Sequence, residues 1–353
     1  MKTTTTYKCK NCGGGLIYDP STNKLKCEYC FTKYAESDFV KELSTKEENT
    51  KERIEQNNDF KMREVYNQYR CPNCGAEVIT DETTAATFCY YCHSSVILNG
   101  KISGKYIPEK MIPFRITRKE AINIFREWIG KKRYLVPGFY SKQQVEKITG
   151  VYMPYWLVNC VVDGSIEAIS KNEQIYTIDG TTYAETQEFQ TDRQGRLTIA
   201  NMPNMALSSE FKDVINNVFP FNWNELTTFN KKFLLGFQAE KRNIGKKYFE
   251  EEIYSDIRKI TSDVLKESIL GYDKTKVKEC FIDLKEIHYC YAMLPVYILT
   301  YQHKGEMFYF ALNGQTGKVV GKLPFNRTKL IIHSIIIFVG LILAFTILGM
   351  KLW

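Results

Sequence analysis

The chain has 353 residues, 44% of them hydrophobic and 14% aromatic, which is room for two or three domains with substantial cores and too apolar for a disordered adaptor. Its formal charge is +8, but eight ligating thiolates and two zinc ions bring that to about +4, so global charge makes no case for nucleic acid.

Two cysteine quartets open the chain: Cys9, Cys12, Cys27 and Cys30, then Cys71, Cys74, Cys89 and Cys92. Each reads C-x2-C, fourteen residues, C-x2-C. A tetrahedral zinc ion needs four soft donors converging on one point, and a C-x-x-C turn aims two sulfurs at it. The spacing therefore predicts two structural zinc ribbons, over residues 1–34 and 69–99, holding two zinc ions. Gly13 and Gly75 follow the second ligand of their turns, where the backbone bends tightly and glycine tolerates φ > 0. Met1 to Thr6 is short and polar, so no secretory leader is expected, and thiolates bound to metal are expected rather than disulfides. With four cysteines filling the shell, His93 is expected to be solvated or hydrogen-bonded.

Lys8, Lys10, Lys24 and Lys26, with Tyr7 and Tyr29, give the first ribbon a basic and aromatic face of the kind that binds nucleic acid. Compensation of an anionic zinc–thiolate centre is the simpler account of those lysines. Residues 35–68 mix both charge signs with few apolar residues and read as a charged linker or a marginal, solvated helix.

From 100 to 325 the chain reads as an aromatic-rich α+β body. Thr117 to Glu120 has the form of a capping box, and Ala121, Ile122, Ile124, Phe125, Trp128 and Ile129 supply a helical face. Residues 150–169 predict a strand pair with a turn at Asp163-Gly164, and residues 174–198 further strands. After a break at Asn243-Ile244-Gly245, apolar residues at helical spacing predict the longest soluble helix over 246–270. Residues 284–320 return to strands, with a hairpin at His303-Lys304-Gly305 and a turn over 313–317. Met153-Pro154-Tyr155-Trp156-Leu157 resembles Leu294-Pro295-Val296-Tyr297-Ile298-Leu299, which predicts two related helix-plus-sheet units with both prolines at strand starts or bulges.

Residues 330–350 contain no Asp, Glu, Lys or Arg and are long enough to span the ~30 Å hydrocarbon core. Lys318, Lys322, Arg327 and Lys329 precede this run and Lys351 follows it, so a single-pass tail anchor in the cell membrane with a cytoplasmic N-terminal region is expected. The fold class is α+β: two N-terminal four-cysteine zinc ribbons, a body of mixed antiparallel sheet and helices, and one C-terminal transmembrane helix.

Motifs of catalysis are not met. Gly100 to Lys105 is one residue short of a P-loop and is followed by Tyr106. Neither G-x-S-x-G nor H-E-x-x-H occurs, and Cys160, Cys280 and Cys290 sit singly among apolar or aromatic residues, as buried thiols do. Four-cysteine sites leave no position for a metal-bound water. A non-enzyme without a small-molecule substrate is expected.

Several stretches resemble a family of bacterial, mainly Gram-positive, membrane-anchored proteins with a zinc ribbon like that of transcription factor IIB. They are Cys71-Pro72-Asn73-Cys74-Gly75 with Cys89-Tyr90-Tyr91-Cys92, Ile112-Pro113-Phe114, Gly150 to Trp156, Phe233 to Phe237 and Asn313 to Lys322. Members are often labelled as primosomal helicase, which the missing P-loop contradicts here, and some resemble partners of the phage-shock and SPFH membrane-stress machinery. The resemblance implies a membrane-anchored adaptor or scaffold for protein partners; a membrane-tethered nucleic-acid-binding protein is the alternative.

Overall fold

The structure is a computed structural model and describes residues 4–5, 7–39, 67–71, 77–80, 83–89, 95–98, 106–208 and 212–352. Most of the expected linker, along with Gly75 and His93, lies outside the described residues. The fold is α+β with mixed sheets.

In chain order the strands are β1 (Thr4–Thr5), β2 (Leu16–Asp19), β3 (Lys24–Cys27), β4 (Lys33–Tyr34), β5 (Asn67–Arg70), β6 (Glu77–Thr80), β7 (Thr84–Phe88), β8 (Ser95–Leu98) and β9 (Lys110–Met111). Helix α1 (Arg118–Gly130) and the single turn α2 (Lys142–Val145) lead into β10 (Thr149–Ile178) and β11 (Thr181–Met205). Then come α3 (Lys212–Asn216), β12 (Thr227–Thr228), β13 (Gln238–Glu240), α4 (Glu250–Glu267), β14 (Lys274–His303), β15 (Glu306–Asn313), β16 (Val319–Lys322) and α5 (Arg327–Leu352).

The main sheet runs β1-β8-β7-β13-β10-β14-β15-β16, with β11 also on β10 and β9 also on β14. β10 and β14 are each 30 residues long. At ~3.3 Å per residue each reaches ~100 Å. They pair antiparallel from Thr149↔Ile298 to Lys171↔Lys274, and beyond that the β10–β11 hairpin continues alone to a tight turn at Asp179-Gly180. Both turn residues have positive φ, 50° and 77°, as a two-residue hairpin demands.

The body is built from one topology used twice. A short strand, a helix, a long strand and a hairpin partner follow one another as β9-α1-β10-β11 and again as β13-α4-β14-β15. The halves exchange elements: β9 pairs parallel with β14, and β13 pairs parallel with β10. The helices cross over too. Phe125 of α1 packs edge-on against Phe310 of β15 at 4.8 Å, whereas Ile253 and Ile257 of α4 cover Val158, Cys160 and Val162 of β10. At the junction Phe114 stacks on Phe237 at 4.0 Å, with Tyr152 and Tyr297 edge-on at 5.0 and 4.9 Å. Burying each such side chain is worth roughly 1.5–3 kcal/mol.

Local sequence explains the helices. Thr117 and Glu120 close the expected capping box, with the Thr117 N–H donating to Glu120 Oε2 at 2.7 Å and the Glu120 N–H to Thr117 Oγ1 at 3.3 Å. α4 opens on Glu250, Glu251 and Glu252, which favour a helix N-terminus, and buries Ile253, Ile257, Thr261 and Leu265 at i, i+4 spacing.

Three expectations need correction. Asp163-Gly164 is not a turn: Gly164 lies mid-strand opposite Gly195, where a Cβ would collide with Thr261 Cγ2 of α4. Glycine is there for close helix–sheet approach. The last long strand begins at Lys274, not at residue 284. Pro154 and Pro295 stand inside their strands, each at the point where the strand changes edge partner: β10 from β13 at Tyr152 to β11 at Tyr155, β14 from β9 at Met293 to β15 at Val296. The missing N–H falls in the gap between two ladders.

Helix α5 carries the apolar run. Its Arg327–Thr346 portion has a mean hydropathy of 2.3 with none of it buried, long and apolar enough to cross a membrane.

Candidate metal centre

The first quartet converges. The Sγ atoms of Cys9, Cys12, Cys27 and Cys30 all lie within 4.8 Å of one another, with Cys9–Cys30 and Cys12–Cys27 both at 3.5 Å. Zinc–sulfur bonds of ~2.3 Å at tetrahedral angles place sulfurs about 3.8 Å apart, so these side chains fit one ion closed by four sulfurs.

The backbone makes this convergence from two matching turns. The Gly13 N–H donates to the Cys9 carbonyl at 2.8 Å, and the Phe31 N–H to the Cys27 carbonyl at 3.1 Å. Both residues take positive φ, 74° and 58°. Gly13 is as expected. Phe31 does the same job with a side chain, and sequence reasoning missed it. Gly14 is required for a second reason, since a Cβ there would sit 3.3 Å from Cys27 Sγ and closer still to the Tyr29 ring.

Outer groups orient the sulfurs. Tyr34 Oη is 3.0 Å from Cys9 Sγ and accepts the Asn11 N–H at 3.2 Å; Thr32 Oγ1 is 3.1 Å from Cys30 Sγ. The Thr32 hydroxyl and N–H favour the Cys30 thiolate and pull it down to about 5. The Gly14 N–H favours a Cys12 thiolate, but the Cys27 and Cys30 sulfurs outweigh it and push Cys12 up to about 12. Four adjacent sulfurs cannot all carry charge without a cation between them, so a bound metal ion would be what lets all four act as thiolates. Hydrogen-bonding hydroxyls directly after a Cys-x-x-Cys turn, as in Thr32 and Tyr34, were the available signal for these outer partners.

The centre is seated on the body. The Tyr18 N–H donates to the Leu235 carbonyl at 2.9 Å, the Tyr18 ring meets Phe233 edge-on at 4.9 Å, and Ile17 packs over Gly236 at φ +86°. Leu235 and Gly236 lead directly into β13, so the centre lies at the base of the long strands.

Of the second quartet, Cys71 and Cys89 are buried together with Tyr69, Val96 and Leu98. Cys74 and Cys92 lie outside the described residues. Cys160, Cys280 and Cys290 stay apart, opposite Ile287, Ile166 and Leu157 respectively, and burial raises all three thiols, Cys290 to about 11.

The lysine face is partly engaged in internal contacts. Lys10 reaches the Asp38 carbonyl and Lys26 lies 5.3 Å over the Phe31 ring, leaving Lys8 and Lys24 exposed. Tyr7, expected on that face, is instead buried beside Leu16, whereas Tyr29 is exposed.

These features define a chain with a cysteine cluster suited to metal, a duplicated α+β body and an apolar C-terminal helix. It is 32% identical over 328 residues, 92% of this chain and 91% of the relative, to the uncharacterized protein YdjG of Bacillus subtilis (strain 168), and belongs to the same family. No protein-family profile and no solved structure matches it.

Proposed function

We propose that this chain is a non-enzymatic adaptor, anchored by α5 in the cell membrane with its body in the cytoplasm, which holds protein partners through two four-cysteine zinc ribbons and the α+β body. The observation that carries this reading is the placement of the β10–β11 hairpin. Its tip is the end of the strands remote from the metal centre, and it presents Ile175 and Ile178, 73% and 54% exposed, on a two-stranded ribbon. Exposed aliphatic side chains on a projecting element are a recognition feature, since no packing among the described residues needs them there.

Cations before α5 support the cytoplasmic side for the body, and a reducing compartment, which keeps thiolates free for metal, agrees with it. The resemblance to partners of the phage-shock and SPFH machinery supports membrane stress as the setting. Exposed Lys8, Lys24 and Tyr29 support the second reading, a membrane-tethered nucleic-acid binder, but the engagement of Lys10 and Lys26 and the burial of Tyr7 weaken it.

The test is affinity capture from membranes solubilised in mild detergent, comparing the full chain with I175S/I178S. The adaptor reading expects a stoichiometric protein partner that the variant loses. Recovery of nucleic acid in place of protein overturns it.

A further inference from the structure

The turn between α1 and α2 is fastened to the start of α5, although some 190 residues of chain separate them. The Asn326 N–H donates to the Tyr134 carbonyl at 2.6 Å, the Val136 N–H to the Pro324 carbonyl at 3.1 Å, and Leu135 bridges Phe325. Tyr134 itself sits at φ +64°, a conformation that a bulky residue keeps only where its surroundings impose it. Its hydroxyl is 2.7 Å from His333 Nδ1, two turns along α5.

This contact sets the depth of the turn. The charge-free run begins at Leu330, and His333 is three residues further, about 4.5 Å along the helix axis. A side chain that hydrogen-bonds His333 from outside the helix therefore reaches to the edge of the hydrocarbon when α5 spans a membrane. Lys131, Lys132 and Arg133, immediately before Tyr134, are then held at headgroup level beside Arg327 and Lys329.

All five cations are exposed, and none forms an ion pair among the described residues. The nearby Lys322, by contrast, has a carboxylate, Glu306 at 3.7 Å. Exposed cations without an ion pair among the described residues are free to attract an anionic surface within a Debye length. Glu127 on the last turn of α1 is the nearest carboxylate in sequence, and no ion pair joins it to the patch among the described residues.

We infer that Lys131, Lys132 and Arg133, with Arg327 and Lys329, form a binding site for the headgroups of anionic phospholipids in the leaflet where α5 begins. The inference rests on the reading that α5 spans a membrane. It assigns a lipid-facing role to a segment of the body far from the anchor in sequence, so that the base of the sheet lies against the bilayer and the β10–β11 hairpin points away from it.

The test uses the full chain in a neutral detergent, titrated with dioctanoyl phosphatidylglycerol, dioctanoyl phosphatidylcholine and inorganic phosphate, with K131Q/K132Q/R133Q as the variant. K276Q/K278Q, at the far end of β14, is the control. Phosphatidylglycerol should bind at least about tenfold more tightly than either other probe, and the triple variant should lose about tenfold or more of that affinity while the control keeps it. Equal affinity for the two lipids, or inorganic phosphate binding as tightly as phosphatidylglycerol, overturns the site. Both comparisons are made on the wild-type chain and do not depend on the variant folding. A folded triple variant with undiminished affinity overturns it as well. Alkaline carbonate extraction of native membranes separates the two readings: release of the chain overturns the anchor, whereas retention without lipid preference overturns the headgroup site alone.

Discussion

Pro154 and Pro295 occupy equivalent places in the two long strands. The carbonyl of each accepts the N–H of the first residue past its hairpin partner, Ala206 at 2.8 Å and Gly314 at 2.9 Å. The two strands also pair with each other here, Tyr152 opposite Pro295 and Pro154 opposite Met293, with Met153↔Leu294 between them. Replacing either proline by alanine adds a buried N–H at a gap between ladders. An unsatisfied buried donor costs about 1–3 kcal/mol. P154A and P295A should therefore lower stability by similar amounts, read from denaturant midpoints. A large loss in one and none in the other would show that the halves are not equivalent.

Gly13 and Phe31 play matching parts in the two turns of the first cysteine cluster, at different energetic cost. A left-handed backbone costs a residue with a side chain roughly 1–2 kcal/mol and glycine very little. No atom lies within 4 Å of a Cβ built on Gly13, so G13A isolates the backbone cost and should destabilise by about that amount. F31G should leave stability unchanged or raise it by up to about 1 kcal/mol, since Phe31 is 66% exposed and the ring contact it gives up among the described residues is the one with Lys26. Chelator titration followed by circular dichroism reads both; a marked loss in F31G would show that its ring matters more than its backbone.

At Gly164 the space is filled by Thr261, whose hydroxyl has no hydrogen-bond partner among the described residues. G164A should cost roughly 1–3 kcal/mol through overpacking. T261S removes the clashing methyl, so the double variant should recover part of that loss. Additive losses would mean the helix simply shifts away.

That glycine also shows what the sequence hides. Asp163-Gly164 has the composition of a turn, and only the approach of α4, about a hundred residues later, makes it a strand interior. Elements with local causes were legible: the Thr117–Glu120 box, the α4 stripe, the His303–Gly305 hairpin and the first cysteine quartet. Non-local ones were not. The similarity of the two proline segments was visible, but the exchange of β9 and β13 between halves depends on strand pairing that no local pattern encodes. The same holds at the metal centre, where Phe31 breaks the glycine rule that made Gly13 readable.

Helix α5 is expected to be the sole attachment to the bilayer core, with the basic rim acting only on headgroups. Deleting residues 327–353 should release a soluble chain whose residual association with anionic vesicles vanishes at high salt, because exposed charge pairs are screened. Sedimentation at ~1 M salt, where the Debye length is ~3 Å, reads this. A truncated chain that still pellets has a second membrane-inserting surface.

The metal prediction carries most of the functional reading. Two complete quartets should hold about two zinc ions per chain, and C30S or C71S should each reduce that to about one. The pH dependence follows from the thiols. Unfolded cysteines ionise near 8.5, whereas metal-bound ones are held as thiolates well below that, so the stabilisation is present above that pH and is lost as pH falls through the folded values. Cys30, favoured by Thr32 and down to about 5 before any metal is counted, should be the last to protonate, and Cys12, pushed up to about 12, should depend on the ion most. Zinc should stay bound at pH 7.5 and be released on acidification toward about 5, with T32V releasing it at higher pH than wild type by weakening the Cys30 thiolate. Elemental analysis with a colorimetric zinc indicator across that range measures both. A wild-type chain without metal but with intact disulfides would refute the centre, and a T32V profile identical to wild type would remove Thr32 from it.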